Sequence, residues 1–405
     1  MKFVHFADCH IGGWRIKELQ DCNIEAFRRT ISRCKEINVD FIVISGDLFN
    51  NALPGIDKLK TVTKEFYELK KLKIPIYFIA GSHDYSPSGK TMLDVLEEAG
   101  LIINVSKAKI ADGKLRLLFT QDEKTGAKLT GLLGKRGMLD KQYYEILDRE
   151  YLEKEEGKKI FLFHTAIDEY KPKSLSFINC TPLSFFPRNF FYYAGGHVHI
   201  IMNRFEEGYG VFCYPGALFP NSFDELEEWK CGGFYIVEDE KISYEQIKIK
   251  EVVSLIFSAD GKTPEEVNHE IIHSIKNLDV NDKIITIRVR GKLSSGKIIE
   301  IKIPEIAAKA HSFGAYSVLY NTSKLVTEVI EEIKIETRDG HNFDGSIIKE
   351  HLTEEKVHND MDERMLAHIL INSLCKEKEE GETKTIYEER IKHELKDTLP
   401  ELFEL

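Results

Sequence analysis

The sequence predicts a layered α/β domain, followed by a smaller α+β unit and a helical tail. Three observations carry this prediction. In the first hundred residues, short β-branched and aromatic runs alternate with stretches whose apolar residues recur at helical spacing. Further apolar runs then continue to about residue 237. The 405-residue chain is 42% hydrophobic and 30% charged, which fits a globular protein and argues against a disordered one. Its length suits two or three domains.

Residues 3–7, 41–45 and 76–80 read as buried strands. Between them, Ile24, Phe27, Ile31 and Cys34 mark one amphipathic helix, and Leu59, Val62, Phe66 and Leu69 a second. Strand–helix–strand order implies parallel βαβ units. The runs at 160–163, 191–194, 211–214 and 234–237 extend this domain over residues 1–250. A second unit covers 251–338. Thr263-Pro264-Glu265-Glu266 supplies a cap, a proline at the first helical position and an acidic first turn for a helix reaching Leu278. Ile285, Ile287 and Val289 alternate with polar residues, as do Ile299, Ile301 and Ile303, and the two runs predict a β-hairpin. Residues 339–405 form the tail, with helical patterns at 362–376 and 388–399 too small to bury a core alone.

The chemistry lies where the apolar runs end. The first is followed by Asp8-Cys9-His10, the second by Gly46-Asp47 and the third by Gly81-Ser82-His83-Asp84. The fourth is followed by His164 and the fifth by Gly195-Gly196-His197-Val198-His199. Parallel strands place their C-terminal ends on one sheet edge, so five groups of Asp and His converge there. Each piece alone has an ordinary explanation, such as a turn, a cap or a core histidine. The ordered set predicts a metal site. Asp and His donors without cysteine favour Mn²⁺, Fe²⁺ or Zn²⁺ over a structural zinc.

This order of motifs resembles the calcineurin-like metallophosphoesterases. Phe6-Ala7-Asp8-Cys9-His10-Ile11-Gly12, Ser45-Gly46-Asp47-Leu48-Phe49, Gly196-His197-Val198-His199 and Tyr214-Pro215-Gly216-Ala217 resemble, within them, the SbcD-type double-strand-break-repair nucleases. The resemblance covers roughly the first 300 residues and implies a layered metallophosphoesterase fold with a DNA-capping domain behind it. It implies two divalent metal ions, Mn²⁺ foremost, bridged by Asp47. Asp8, His10 and His199 complete one metal site, and His164 and His197 belong to the other. His83 is then catalytic, donating to the leaving oxygen or stabilising the transition state, with Asp84 fixing its orientation. Ser82 stands where the family has an asparagine ligand, which weakens the second metal site.

The resemblance further implies a DNA phosphodiesterase, a 3′-to-5′ exonuclease with endonuclease activity, acting on single- and double-stranded ends. Its partners are an SbcC-type coiled-coil ATPase, bound through the helical tail, and a second copy in a homodimer. Two alternatives stay open: a small-nucleotide phosphodiesterase or phosphatase on the same dimetal core, and a DNA-binding scaffold with a degraded second metal site. Arg288, Arg290, Lys292, Lys297 and Lys302, with Lys283 beside them, form a candidate phosphate-tracking ribbon. His5 reads as a core or supporting residue. Trp14 and Arg15 read equally as surface loop or substrate contact; Lys90 reads first as part of a helix-entry turn and only second as a phosphate contact, and the basic spot Gly134-Lys135-Arg136 as solvated loop.

Seven cysteines without a CxxC fit reduced thiols, no run reaches the roughly 18 apolar residues of a membrane helix, and residues 1–11 lack signal-peptide features. The expectation is a cytoplasmic protein that does not cross a membrane. The net charge of -11 at first opposes nucleic acid as a partner. However, the last 60 residues hold 9 Lys or Arg against 16 Asp or Glu, a net of -7 that leaves only -4 on the rest. Two divalent ions would add positive charge at the site itself. Acidity is concentrated in the tail and does not exclude DNA.

Overall fold

The computed structural model describes residues 1–86, 91–135, 139–171, 180–327, 387 and 389–393. The chain divides into two units, Met1–Ile330 and Glu331–Leu405. The tail segment 362–376 lies outside the described residues, as do Lys90 and Arg136; residues 389–393 are helical.

The first unit opens with β1 (Lys2–Phe6), α1 (Lys17–Glu36), β2 (Phe41–Ser45), α2 (Ile56–Lys71), β3 (Ile76–Ile79), α3 (Met92–Glu98) and β4 (Ile103–Asn104). It continues through β5 (Ala108–Ala111), β6 (Lys114–Leu117), β7 (Thr120–Gln121), β8 (Lys128–Leu132), α4 (Lys141–Glu145), α5 (Arg149–Lys154) and β9 (Lys159–His164). Then come β10 (Tyr192–Gly196), β11 (Ile201–Glu206), β12 (Gly210–Pro215), α6 (Phe223–Trp229), β13 (Gly232–Glu238) and β14 (Lys241–Ile247). The last part holds β15 (Val252–Ser258), α7 (Pro264–Lys276), β16 (Ile284–Lys292), α8 (Ile303–Ser312) and β17 (Ser317–Val326).

Two six-stranded sheets, β14-β13-β1-β2-β3-β4 and β11-β12-β10-β9-β8-β7, stack face to face. Phe3, Phe41, Val43 and Ile79 of the first meet Leu129, Ile160, Leu162 and Ala194 of the second in one buried layer. The outer face of the first sheet is covered by α1 and α2 through Phe27, Ile31, Val62 and Phe66, the residues whose helical spacing the sequence displays. Tyr144 and Leu152, on α4 and α5, cover the other sheet. The strands at the centre of each sheet are apolar throughout because both faces are buried. β1, β2 and β3 are mutually parallel, and so are β9 and β10, so each group ends on one edge.

The third sheet corrects the sequence reading. The hairpin expected over 285–303 is not formed: β15, β16 and β17 are parallel, joined by α7 and α8 as crossovers. Ile299 and Ile301 alternate only through a single 3-10 turn (Ile298–Glu300), and Pro304 then opens α8. Ile303, Ile306 and Ala310 face the core at helical spacing, so the decisive period begins where the alternating one stops. The helix at 263 is as expected, with Thr263 and Glu266 in a reciprocal capping box, and it ends at Lys276. The six described cysteines are free and buried. No helix among the described residues is long and apolar enough to cross a membrane.

Candidate metal centre

The two sheets deliver the site from facing edges. Asp8 and His10 follow β1, Asp47 follows β2, Ser82, His83 and Asp84 follow β3, His164 ends β9, and His197 and His199 follow β10. Backbone bonds lock the first two loops together: Asp8 N–H donates to Gly46 C=O (3.1 Å), and His10 N–H to Asp47 C=O (2.9 Å). Asp8, His10, Asp47, His197 and His199 all have positive φ, between 42° and 94°. Such backbone is costly for residues with a Cβ, and its concentration here marks a functional constraint. Gly81 is required for a different reason, since a Cβ there would run into the Asp47 carboxylate and backbone.

Among the described residues, three overlapping donor groups result: Asp8, His10 and His199; His10, Asp47 and His83; and Asp8, Asp47 and His164, the donor atoms of each lying within 4.8 Å of one another. His164 Nδ1–H donates to Ser45 C=O (2.8 Å), which turns Nε2 toward Asp47 Oδ2 at 3.2 Å. That Nε2 is buried, and His10 Nδ1 is buried without a hydrogen-bond partner. On the other side, His199 Nε2 lies 3.0 Å from His10 Nε2 and 3.9 Å from Asp8 Oδ1. Imidazole nitrogens and carboxylate oxygens aimed at shared points fit divalent cations.

The electrostatics agree. Burial pushes Asp8 up to about 6 even though His199 and His164 pull it down. Asp84 rises to about 7, through burial and then the nearby Asp47 charge. Burial also acts on Asp47, but His164, His10 and the His83 N–H hold it below the usual carboxylate range. Burial lowers the imidazoles, yet Asp47 and Asp8 raise His164 to about 10, and Asp8 and Glu225 raise His199 to about 9. His10 and His197 stay neutral, brought down by burial to about 3 and about 4. Protons therefore supply positive charge that a divalent cation can replace.

The remaining expected residues separate. His197 donates its backbone N–H to both Asp8 oxygens at 3.0 Å, and its ring sits 5.1 Å from that of His164, outside the three donor groups. Ser82 Oγ–H donates to Asp47 Oδ2 at 3.4 Å, which places it at the site. His83 Nδ1–H donates to Asn50 C=O (3.0 Å), and the ring packs edge-on to His10. The expectation that Asp84 orients His83 is not met. The Asp84 carboxylate accepts from the N–H groups of Gly81, Leu48 and Phe49, joining the second and third loops, because three backbone donors converge on it.

Arg288 does not belong to an open basic ribbon. Its guanidinium is bound to Glu227 and Asp224 of α6. Lys283 pairs with Glu251 and Asp279, and Lys302 with Glu305, while Arg290 is exposed. His5 is a core residue whose Nδ1 bonds to the Tyr192 hydroxyl (2.9 Å). Trp14 Nε1–H donates to Pro220 C=O, so this ring is structural.

Glu225 is a functional residue the sequence reading misses. Its Oε1 accepts the Nδ1–H of His199 at 2.9 Å. Ser222-Phe223-Asp224-Glu225 has the pattern of a helix capping box, which gives Glu225 a local role and hides the distant one. Asn50, through its carbonyl, is likewise invisible to side-chain motifs.

Fold and donor set together provide a buried cluster of Asp and His donors suited to divalent cations, at the facing edges of two stacked sheets. Residues 1–200 match the family described as calcineurin-like phosphoesterase. Among curated relatives, the DNA double-strand break repair protein Mre11 of Methanococcus maripaludis is 28% identical over 247 residues, 58% of this chain and 62% of that protein. Mre11 of Methanocaldococcus jannaschii is 30% identical over 248 residues, 59% of this chain and 62% of the relative. Mre11 of Methanopyrus kandleri is 24% identical over 375 residues, 88% and 76% of the two chains. The chain thus spans less than two thirds of the length of the first two.

Proposed function

We propose that this protein is a DNA phosphodiesterase, a 3′-to-5′ exonuclease with endonuclease activity, that acts in double-strand-break repair beside an SbcC-type ATPase. The observation that supports the reading best is the convergence of Asp8, His10, Asp47, His164 and His199 around shared donor points, with buried His164 Nε2 facing the Asp47 carboxylate at 3.2 Å. The similarity to proteins named for DNA double-strand break repair supports DNA over small nucleotides. Asp8, His10, Asp47 and His199 would hold one divalent ion, and Asp47, His164, His197 and Ser82 the other. Two divalent ions held there, Mn²⁺ in this reading, would supply Lewis-acid activation of a water and offset charge on the phosphoryl oxygens.

The chain's own residues then orient and protonate. The Asn50 carbonyl keeps a proton on His83 Nδ1, so the ring can deliver a proton from Nε2 only as the imidazolium. After delivery it is left as the Nδ1–H tautomer that Asn50 already favours. Arg290, Lys292 and Lys297 remain in the proposal as backbone contacts, and the tail as the ATPase-binding segment. A homodimer and a cytoplasmic location belong to the same reading.

The test is duplex cleavage with and without Mn²⁺, beside His83→Ala. Cleavage that needs Mn²⁺ and falls about 10²–10⁴-fold in the variant is expected. Equal rates for the two proteins would remove His83 from the mechanism, and cleavage only of small nucleotide esters would favour the other enzyme class. Deleting the residues after Ser346 should abolish co-purification with the ATPase and leave cleavage intact.

A further inference from the structure

Helix α6 stands between the metal centre and the third sheet, and it is bonded to both. At its start, Ser222 Oγ accepts the Glu225 N–H at 3.2 Å. Glu225 then turns toward the centre: Oε1 accepts from His199 Nδ1–H (2.9 Å) and Oε2 from Asn221 N–H (2.8 Å). From the opposite side, Arg288 of β16 reaches the same helix. Its Nε lies 3.0 and 2.9 Å from the two Glu227 carboxylate oxygens, Nη2 lies 2.9 Å from Glu227 Oε2, and Nη2 also bonds Asp224. The guanidinium is centred 4.9 Å over the Phe223 ring, and the side chain is only 11% exposed.

We propose that Arg288 is a positioning residue of the metal centre, which holds α6 so that Glu225 fixes the His199 ring. The inference rests on the metal-centre reading above. A seven-residue helix has little stability of its own, because nucleation costs more than so few hydrogen bonds return. Its place is set by what grips it. Arg288 grips three of its residues, two by charge and one by ring stacking, with a planar fork that a lysine does not reproduce. Glu225 lies between the gripped residues Asp224 and Glu227 in sequence. Its carboxylate holds His199 Nδ1 and leaves Nε2 facing His10 and Asp8. Loss of the Arg288 grip therefore releases the group that sets the ring angle of a ligand, although Arg288 touches no ligand itself. Its charge is matched by two carboxylates, which removes it from the candidate DNA ribbon.

The test is a double-mutant cycle on Mn²⁺ affinity, read by titrating the full-length protein without DNA. Glu225→Ala should weaken binding about 10–100-fold. Arg288→Ala should weaken it about 10-fold, by the loss of the same support. The combined variant should bind no more weakly than Glu225→Ala alone, since the two changes remove one interaction chain. Arg288→Lys keeps the charge, loses the fork and should also bind Mn²⁺ more weakly, which covers the case of an Arg288→Ala protein that does not fold. Parental Mn²⁺ affinity in foldable Arg288 variants, with a lowered Tm, would make Arg288 a plain tie between sheets and overturn the proposal. Additive losses would overturn it too, and so would reduced DNA affinity at unchanged Mn²⁺ affinity. A parent that binds no Mn²⁺ would overturn the metal centre itself, and this inference with it.

Discussion

The two stacked sheets bring opposite chemistry to one edge. Strand ends of the first supply Asp8, Asp47 and Asp84, with His10, Ser82 and His83; those of the second supply His164, His197 and His199 and no carboxylate. Alone, the first set would bury three carboxylates, and burial first, then the Asp47 charge, raises Asp8 and Asp84. Alone, the second set would bury three imidazoles with Glu225 on His199 as their carboxylate partner. Apposition makes each half the counter-charge of the other, and the difference teaches that the cation-binding property belongs to the joint between the sheets.

The joint breaks most completely at Asp47, which receives the His83 N–H from its own sheet and faces His164 Nε2 from the other. Asp47→Ala should abolish Mn²⁺ binding and lower cleavage by about 10³-fold or more, seen together in metal titration and DNA cleavage. His83→Ala tests the first half alone. Cleavage should fall about 10²–10⁴-fold while Mn²⁺ affinity is unchanged. A parallel loss of metal would show that His83 is a ligand.

Next in size is the pH response. His164 and His199, raised above their ordinary value to about 10 and about 9, carry protons at pH 7 in the metal-free protein. Ligation needs their Nε2 lone pairs, so binding expels protons and Mn²⁺ affinity should rise from pH 6 to about 9. The same shifts stabilise the metal-free fold fully below about pH 6.5, a contribution lost as pH rises through 9 and 10. Calorimetric titration in buffers of different ionisation enthalpy measures the released protons. A pH-independent affinity would mean that these imidazoles do not ligate. The smallest change is Ser82→Asn, which offers a longer carbonyl donor beside Asp47. It should tighten the weaker metal step by about 10-fold, within the range for a single adjusted polar ligand contact.

Legibility followed the range of the interactions. β1, β2 and β3 were readable because a strand buried on both faces is apolar throughout, and its end is marked where Asp, His and Gly begin. Donor convergence then followed from parallel strand ends. The segment after residue 297 was misread because Ile299, Ile301 and Ile303 alternate by chance ahead of Pro304, and only α8 packing on the third sheet reveals which period governs. β8 was not anticipated, because Lys-Leu-Thr-Gly-Leu is a weak strand pattern that becomes one by pairing with β9.

By itself the sequence determined the donor types and their order; it placed all five groups on one sheet edge, whereas the ends of two facing sheets supply them. Types and order are set by local periodicity and by where apolar runs stop. Only the tertiary structure decided where polar side chains point. Asp84 serves backbone amides more than thirty residues away, His199 is held by Glu225, and Arg288 is committed to α6 rather than to solvent. A carboxylate or guanidinium takes the complementary groups that packing brings within about 3 Å, and that proximity is a property of the whole fold.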